Sequence, residues 1–224
     1  WTLAPGIGNP AAKGNAAPAK GTRAMRLPPG CQIRLLADLP PAAQAEAGAL
    51  FWAAFRDKLG RLLGPDARAL ALIGRAMRPD HAFAVVAPGG QVVAVAGFRS
   101  PAGSFLALGG PHLAVVYGRW GGVWRKAVLH WLGRDVDNVR FLIDGLAVAE
   151  GWRGRGLGSA LIAALAAEAQ ARGYRSLRLD VADQNDRARA LYERLGFDPA
   201  GHQRLWLTAR LFGMTGSTVM ERRL

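Results

Sequence analysis

The chain of 224 residues predicts a mixed α/β fold, α+β in character, with one right-handed parallel crossover. Three observations carry this expectation. "HAFAVVA", Pro88-Gly89-Gly90 and "QVVAVAGF" read as strand, turn and strand, the mark of a hairpin. The apolar run 141–148, a glycine-rich elbow, the helical stretch 159–172 and "SLRLDVA" form a β–α–β unit. "NDRARALYERLG" then reads as a short helix, with "QRLWLT" and "STVMERR" as closing strands.

Each element has its reason. Residues 1–30 are rich in Ala, Gly, Pro and Lys, with no acidic residue and no sustained apolar run, so they read as a flexible tail. They lack the apolar segment of a secretory signal, and Met25 is a candidate natural start. Residues 31–224 read as a single domain with an insertion at about 101–140. "QIRLLA" is its first strand. In the helix at 42–62, Leu50, Phe51, Ala54 and Phe55 share one side. Pro65-Asp66 opens a second helix, which runs through about Met77 until "RPD" ends it.

The segment 112–132 is long enough to cross a bilayer, but Arg119, Arg125 and Lys126 interrupt its middle, so no span is expected. Tyr117, Trp120, Trp124 and Trp131 fall at helical offsets of three, four and seven. They predict an amphipathic helix packed on the domain; an interfacial membrane helix, or a lid or homodimer surface, are the alternatives. Gly121 and Gly122 weaken its continuity. In the last short helix Asp186 is a candidate cap, Leu191 and Leu195 lie four apart, and Gly196 occupies the C′ position.

Composition narrows the chemistry. Half of the residues are apolar, enough for a sizeable core. Cys31 is the single cysteine, and the four histidines lack ligand spacing, so neither an internal disulfide nor a metal site is expected. The formal charge of +13 is compatible with nucleic acid, an anionic membrane face or a polyanionic small molecule.

The elbow "WRGRGLGS" is the most informative stretch. Its glycines at 154, 156 and 158 allow unusual backbone and close approach, and the helix behind it offers unpaired N–H groups. Arg153 and Arg155 add charge, making a phosphate cradle. A P-loop frame fails, because Leu157-Gly158 follow Gly156 where Lys-Ser/Thr belong. A dinucleotide fingerprint would put Ser159 at its third glycine, with Asp180 as the ribose-binding acid. Against it, the five residues Ala149 to Arg153 separate the strand from the first glycine.

Arg153-Gly154-Arg155-Gly156-Leu157-Gly158 does match the Arg/Gln-x-x-Gly-x-Gly/Ala signature, and the chain resembles the GNAT superfamily of acyl-CoA-dependent N-acyltransferases. "IDGLAVAEGWRGRGLGSALI" and "NDRARALYERLGF" both carry the likeness, which covers about residues 141–200; the first half agrees only in element order. The resemblance implies a central, mostly antiparallel sheet with one parallel, splayed strand pair and flanking helices. It implies acetyl-CoA as co-substrate, its pyrophosphate on the amides of Arg153, Gly154, Arg155, Gly156, Leu157 and Gly158, with Ser159 opening the helix. The pantetheine arm would run along Leu146, Ala147 and Val148 and contact Asn185. Tyr192 matches the family's general acid. Asp144 aligns with an acidic residue often found near the slot and is the preferred base; Glu150 is second, with a water chain or a deprotonated substrate as the alternative. Independently of any family, Gly145 inside a strand marks a bulge or close backbone approach.

The resulting expectation is a cytoplasmic N-acetyltransferase moving an acetyl group from acetyl-CoA to a primary amine, a small molecule or a protein N-terminus, by direct attack in a ternary complex. A non-catalytic acyl-CoA sensor or a nucleic-acid-binding protein is the alternative, the latter motivated by the charge and by the aromatic and basic residues at 117–131.

Overall fold

The computed structural model describes residues 27–132, 141–204 and 216–224. Residues 1–26 of the expected 1–30 tail, residues 133–140 of the insertion and residues 205–208 of "QRLWLT" lie outside these. Among the described residues eight strands form one sheet: β1 (Gln32–Leu35), β2 (Ala82–Val86), β3 (Val92–Ser100), β4 (Gly103–Ser104), β5 (Phe141–Val148), β6 (Ser176–Ala182), β7 (Asp198–Arg204) and β8 (Gly216–Arg223). Their spatial order is β1-β2-β3-β5-β6-β8-β7, with β4 paired to β3. Every pairing is antiparallel except β5 with β6. The helices are α1 (Pro41–Leu63), α2 (Asp66–Ala76), α3 (Gly110–Leu132), α4 (Leu157–Ala171) and α5 (Asp186–Arg194).

Alternation along the strands sorts their side chains onto two cores. Leu161, Ile162 and Leu165 of α4 pack on Phe98, Phe141, Leu177 and Leu179, and Ala188, Tyr192 and Leu195 join from α5 and the turn after it. Ala43, Ala47 and Phe51 of α1 pack instead with Ala84, Val95 and Ala147. The sheet is therefore covered by α4 and α5 on one face and by α1 on the other. A third cluster ties α1 to α2 and α3 through Trp52, Leu62, Leu72, Ile73 and Leu113.

Two irregularities position the site. Gly97 of β3 faces Gly145 of β5, yet the next residue, Phe98, faces Ile143, so Asp144 is an extra residue in β5. This is the bulge that Gly145 signals in the sequence. The parallel ladder between β5 and β6 is limited to Phe141↔Leu177 and Leu142↔Arg178, after which the strands diverge.

Several boundaries differ from the sequence reading. β1 stops at Leu35, and Leu36–Asp38 form a 3-10 turn with Leu36 buried. α4 begins at Leu157, two residues early, because Gly156 takes the left-handed conformation (φ 81°, ψ 0°) and starts the helix. Asn185, not Asp186, caps α5: its Oδ1 accepts from the Ala188 amide at 3.2 Å.

The largest correction is α3. Gly118 (φ 74°, ψ 168°) breaks it. A Cβ on Gly122 would lie 2.8 Å from the Ala114 nitrogen, and one on Gly110 3.2 Å from Lys126 Cδ. Residues so far apart on a continuous helix are not neighbours, so the two halves fold back on each other as a helical hairpin. The expected aromatic face is thereby dispersed. Tyr117 turns inward and donates to the Leu63 carbonyl, whereas Trp120 is 89% and Trp124 47% exposed. Trp131 lies outside the described side chains.

Candidate active site

Beyond the end of the β5–β6 ladder a cleft of about 590 Å³ opens. Leu146, Ala147 and Val148 of β5 form one wall, and Asn185, Arg187, Ala188, Leu191 and Arg194 of α5 stand opposite. Its floor is the elbow: Trp152, Arg153, Gly154, Gly156, Leu157, Gly158 and Ser159. Of the cofactor-binding residues expected from sequence, the cleft gathers all but Arg155, whose guanidinium lies over the Trp152 ring at 5.0 Å.

The elbow has the local geometry of an anion cradle. Gly154 (φ 77°) and Gly156 (φ 81°) both occupy the left-handed region, and a Cβ on either would meet nothing within 4 Å. The first bond of α4 runs from the Ala160 amide to the Gly156 carbonyl at 3.0 Å. The amides of Leu157, Gly158 and Ser159 therefore precede the helical ladder and carry its positive end. Arg153 and the guanidinium groups of Arg187 and Arg194 add formal charge at the rim. Sequence reading missed Arg187 and Arg194. Their only signal was their spacing from Leu191 on one helix, which acquires meaning once α5 is seen to face the elbow.

The β5 wall offers main-chain groups. The Ala149 amide donates to Val93 of β3 at 2.9 Å, and Ala147 pairs with Val95. In an antiparallel ladder alternate residues face alternate edges, so Leu146 and Val148 turn their N–H and C=O toward the divergence. Arg153 Nε donates to the Val148 carbonyl on that side, at 3.3 Å. Ala147, between them, turns its main-chain groups to β3 instead.

The two expected catalytic side chains sit apart. Asp144, on the bulge, is 14% exposed and pairs through Oδ1 with Arg99 Nη2 at 3.0 Å. Burial raises its carboxyl above the usual aspartate range, against the opposing pull of Arg99 and of the Phe105 amide. Tyr192 packs against the core with its ring 5.9 Å from Phe197, and burial alone pushes its hydroxyl above the ordinary phenol value. Neither side chain lines the cleft itself. Glu150 begins an exposed 3-10 turn, Glu150–Trp152, which fills the interval between β5 and the first elbow glycine.

Among the described residues no histidine lines the cleft. His81 is buried, with Nε2 3.2 Å from Ser100 Oγ; His112 Nδ1 lies 3.0 Å from the Ala107 carbonyl; the His130 side chain lies outside those described. Among the described residues no group of His, Cys, Asp and Glu is arranged to hold a metal, and no helix is long and apolar enough to cross a membrane.

Residues 45–197 match the model of the "Acetyltransferase (GNAT) family". The chain belongs to the GNAT acetyltransferase family. Two solved structures agree in fold. A GCN5-related N-acetyltransferase from Kribbella flavida aligns with 87% of this chain and 98% of its own at 18% identity, with a TM-score of 0.56. An agmatine N-acetyltransferase aligns with 87% of this chain and 100% of its own at 15% identity, TM-score 0.55. This chain spans 64% of a nourseothricin acetyltransferase, which covers 63% of it at 20% identity and a TM-score of 0.44. No curated protein matches the chain. The matched span includes β5, the bulge, the elbow, α4, β6 and α5, so the GNAT assignment rests on the elements that build the cleft.

Proposed function

We propose that this GNAT protein is a cytoplasmic N-acetyltransferase that moves an acetyl group from acetyl-CoA to a primary amine by direct attack within a ternary complex. The observation that carries the reading is the pair of left-handed glycines, Gly154 and Gly156, presenting the unbonded amides of α4 to a cleft beside the unpaired edge of β5. A pyrophosphate fits such a cradle, since its charge meets N–H groups, a helix N-terminus and Arg153 together. Leu146 and Val148 supply the strand edge for an amide-bearing arm, and Asn185 and Leu191 close the cleft from α5.

Acetyl-CoA supplies the activated thioester; the chain supplies position and protons. An N–H of Leu146 or Val148 stabilises the charge that builds on the carbonyl oxygen. Asp144 takes the proton of the incoming ammonium group: its raised pKa makes it a stronger base than a solvated aspartate, while Arg99 fixes its orientation. Tyr192 returns a proton to the departing thiolate, and its raised pKa keeps the phenol protonated through the neutral range. Asp144 contacts the strand and loop on the α1 side, whereas Tyr192 lies in the core under α4 and α5. Amine and thioester would therefore meet through the divergence of β5 and β6 from opposite faces.

The test is titration of acetyl-CoA in a calorimeter, followed by thiol release against a panel of primary amines and peptide N-termini. Micromolar binding with amine-dependent release supports the transfer reading. Binding without release for any amine supports a sensor, and no binding rejects both.

A further inference from the structure

Among the described residues the large apolar side chains left exposed are Leu70, Val115, Trp120, Val123 and Trp124. All five belong to α2 or α3, which pack against each other. Elsewhere the described surface buries its large apolar groups, so this concentration needs a physical reason. Between the two helices runs a groove of about 280 Å³ lined by Ala67, Arg68, Ala71, Arg75, Val115 and Val116. Arg119 and Lys126 are exposed on α3 as well.

Among the described residues of α2 and α3 the unpaired charges have one sign. α3 contains no acidic residue, and the one carboxylate of α2, Asp66, is held by Arg56 at 2.8 Å and accepts from Trp52 Nε1. Arg125 is committed internally: it donates to the Leu62 and Gly121 carbonyls and lies over the Tyr117 and Trp124 rings at 4.0 and 4.4 Å. That arrangement holds Trp124 in place at the surface and leaves Arg68, Arg75, Arg119 and Lys126 facing outward.

We propose that the outer face of α2 and the α3 hairpin docks on an anionic lipid bilayer. Trp120, Val123 and Trp124 would enter the headgroup layer, and Arg68, Arg75, Arg119 and Lys126 would meet lipid phosphates. Tryptophan, with an apolar ring and one N–H, is the side chain that membrane interfaces favour, and basic groups beside it add attraction to an anionic leaflet. A second copy of the chain is a poorer partner. A two-fold contact through this face would set the four cations against the same four. The proposal concerns peripheral contact and is independent of the acetyl-transfer reading, because no residue of α2 or α3 lines the cleft.

The experiment is flotation of the full chain with phosphatidylcholine vesicles and with vesicles in which about a third of the lipid is phosphatidylglycerol, followed also by tryptophan emission. The chain should float with the anionic vesicles alone, with a blue shift. Reversing two charges in R119E/K126E should weaken partitioning by at least about 30-fold, given the attraction per basic residue near an anionic leaflet. W120S/V123S should weaken it by about tenfold or more and abolish the blue shift. Both variants should keep the wild-type melting temperature and acetyl-CoA affinity, since Trp120 and Val123 are 89% and 65% exposed. Equal partitioning of the wild type into both vesicle types, or into neither, overturns the proposal, as does wild-type partitioning by both variants. A dimer that W120S/V123S dissolves would assign the face to a second copy instead. Salt-sensitive duplex DNA binding, lost in R119E/K126E without any vesicle binding, would assign it to nucleic acid.

Discussion

Replacing Gly156 with valine separates the cradle from ordinary backbone strain. The residue has φ 81°, and a Cβ there meets no atom within 4 Å. The Cβ therefore encounters no packing conflict, and valine suffers the left-handed conformation, about 1–2 kcal/mol for an L residue. Gly90, in the β2–β3 turn, is a matched control: φ 82°, equally open space, and no place in the cleft. Gly156→Val and Gly90→Val should lose similar stability. Only Gly156→Val puts carbon where the proposed cradle would bring phosphates to the amides. Losing two hydrogen bonds to a charged group, at about 1.5–3 kcal/mol each, amounts to at least about 3 kcal/mol. Acetyl-CoA affinity should then fall by roughly a hundredfold or more. Thermal melts and calorimetric titration of both variants are the assay. If Gly156→Val binds acetyl-CoA within about threefold of Gly90→Val, the elbow is a structural turn and the cradle reasoning fails.

Three further outcomes follow from the same geometry. Tyr192→Phe keeps the ring against Phe197 and should lower kcat by roughly 10²-fold or less, with acetyl-CoA affinity unchanged; in the wild type the alkaline limb of the rate should lie above 10.0, because burial raises the phenol. Asp144→Asn should lower kcat/KM by roughly 10²- to 10³-fold. The wild-type rate should rise with pH as Asp144 loses its proton, at a pH above the ordinary 3.8, and that limb should vanish in the variant's pH profile. Gly122→Val drives a Cβ to 2.8 Å from the Ala114 nitrogen and should cost about 1–3 kcal/mol in urea denaturation, with acetyl-CoA affinity retained.

The parts of this fold legible in sequence are those in which local chemistry decides. β5 and β6 match their apolar runs residue for residue, because strands with buried faces leave little freedom in register. The elbow announced itself through glycines whose positive φ values no other residue adopts as cheaply. Where tertiary packing decides, the pattern misleads. The offsets of Tyr117, Trp120 and Trp124 are those of a helix face, yet Gly118 breaks that helix and Gly122 lets its halves touch. Glycines at 121 and 122 were visible as weak points; that they permit close contact between helix halves, rather than mere flexibility, is a long-range fact. Arg187 and Arg194 were similarly mute, since a charged side of a short helix is normally a solvated face.

The position of the cleft comes down to one surplus residue held by aromatic rings. β6 stays in register with β8 from Ser176 to Ala182, and β5 stays paired with β3 as far as Val148. With both outer partners kept, a bend in β5 can only separate it from β6. Asp144 supplies that bend, because an extra residue on one strand increases local twist and turns the strand aside. The paired glycines beside it, Gly97 and Gly145, let rings press onto the backbone: a Cβ on Gly97 would lie 2.6 Å from Phe105, and one on Gly145 2.9 Å from Phe51. Phe51 stacks on Phe55 at 4.4 Å and meets Phe105 edge-on at 5.3 Å, so α1 and the segment after β4 close over the bulge together. The same bulge places the Asp144 carboxylate against Arg99 and sets the register by which Leu146 and Val148 turn their amides into the opening. The proton acceptor, the carbonyl-stabilising amides and the entry slot that we propose thus share one structural cause, and a change that irons out the bulge should remove all three together.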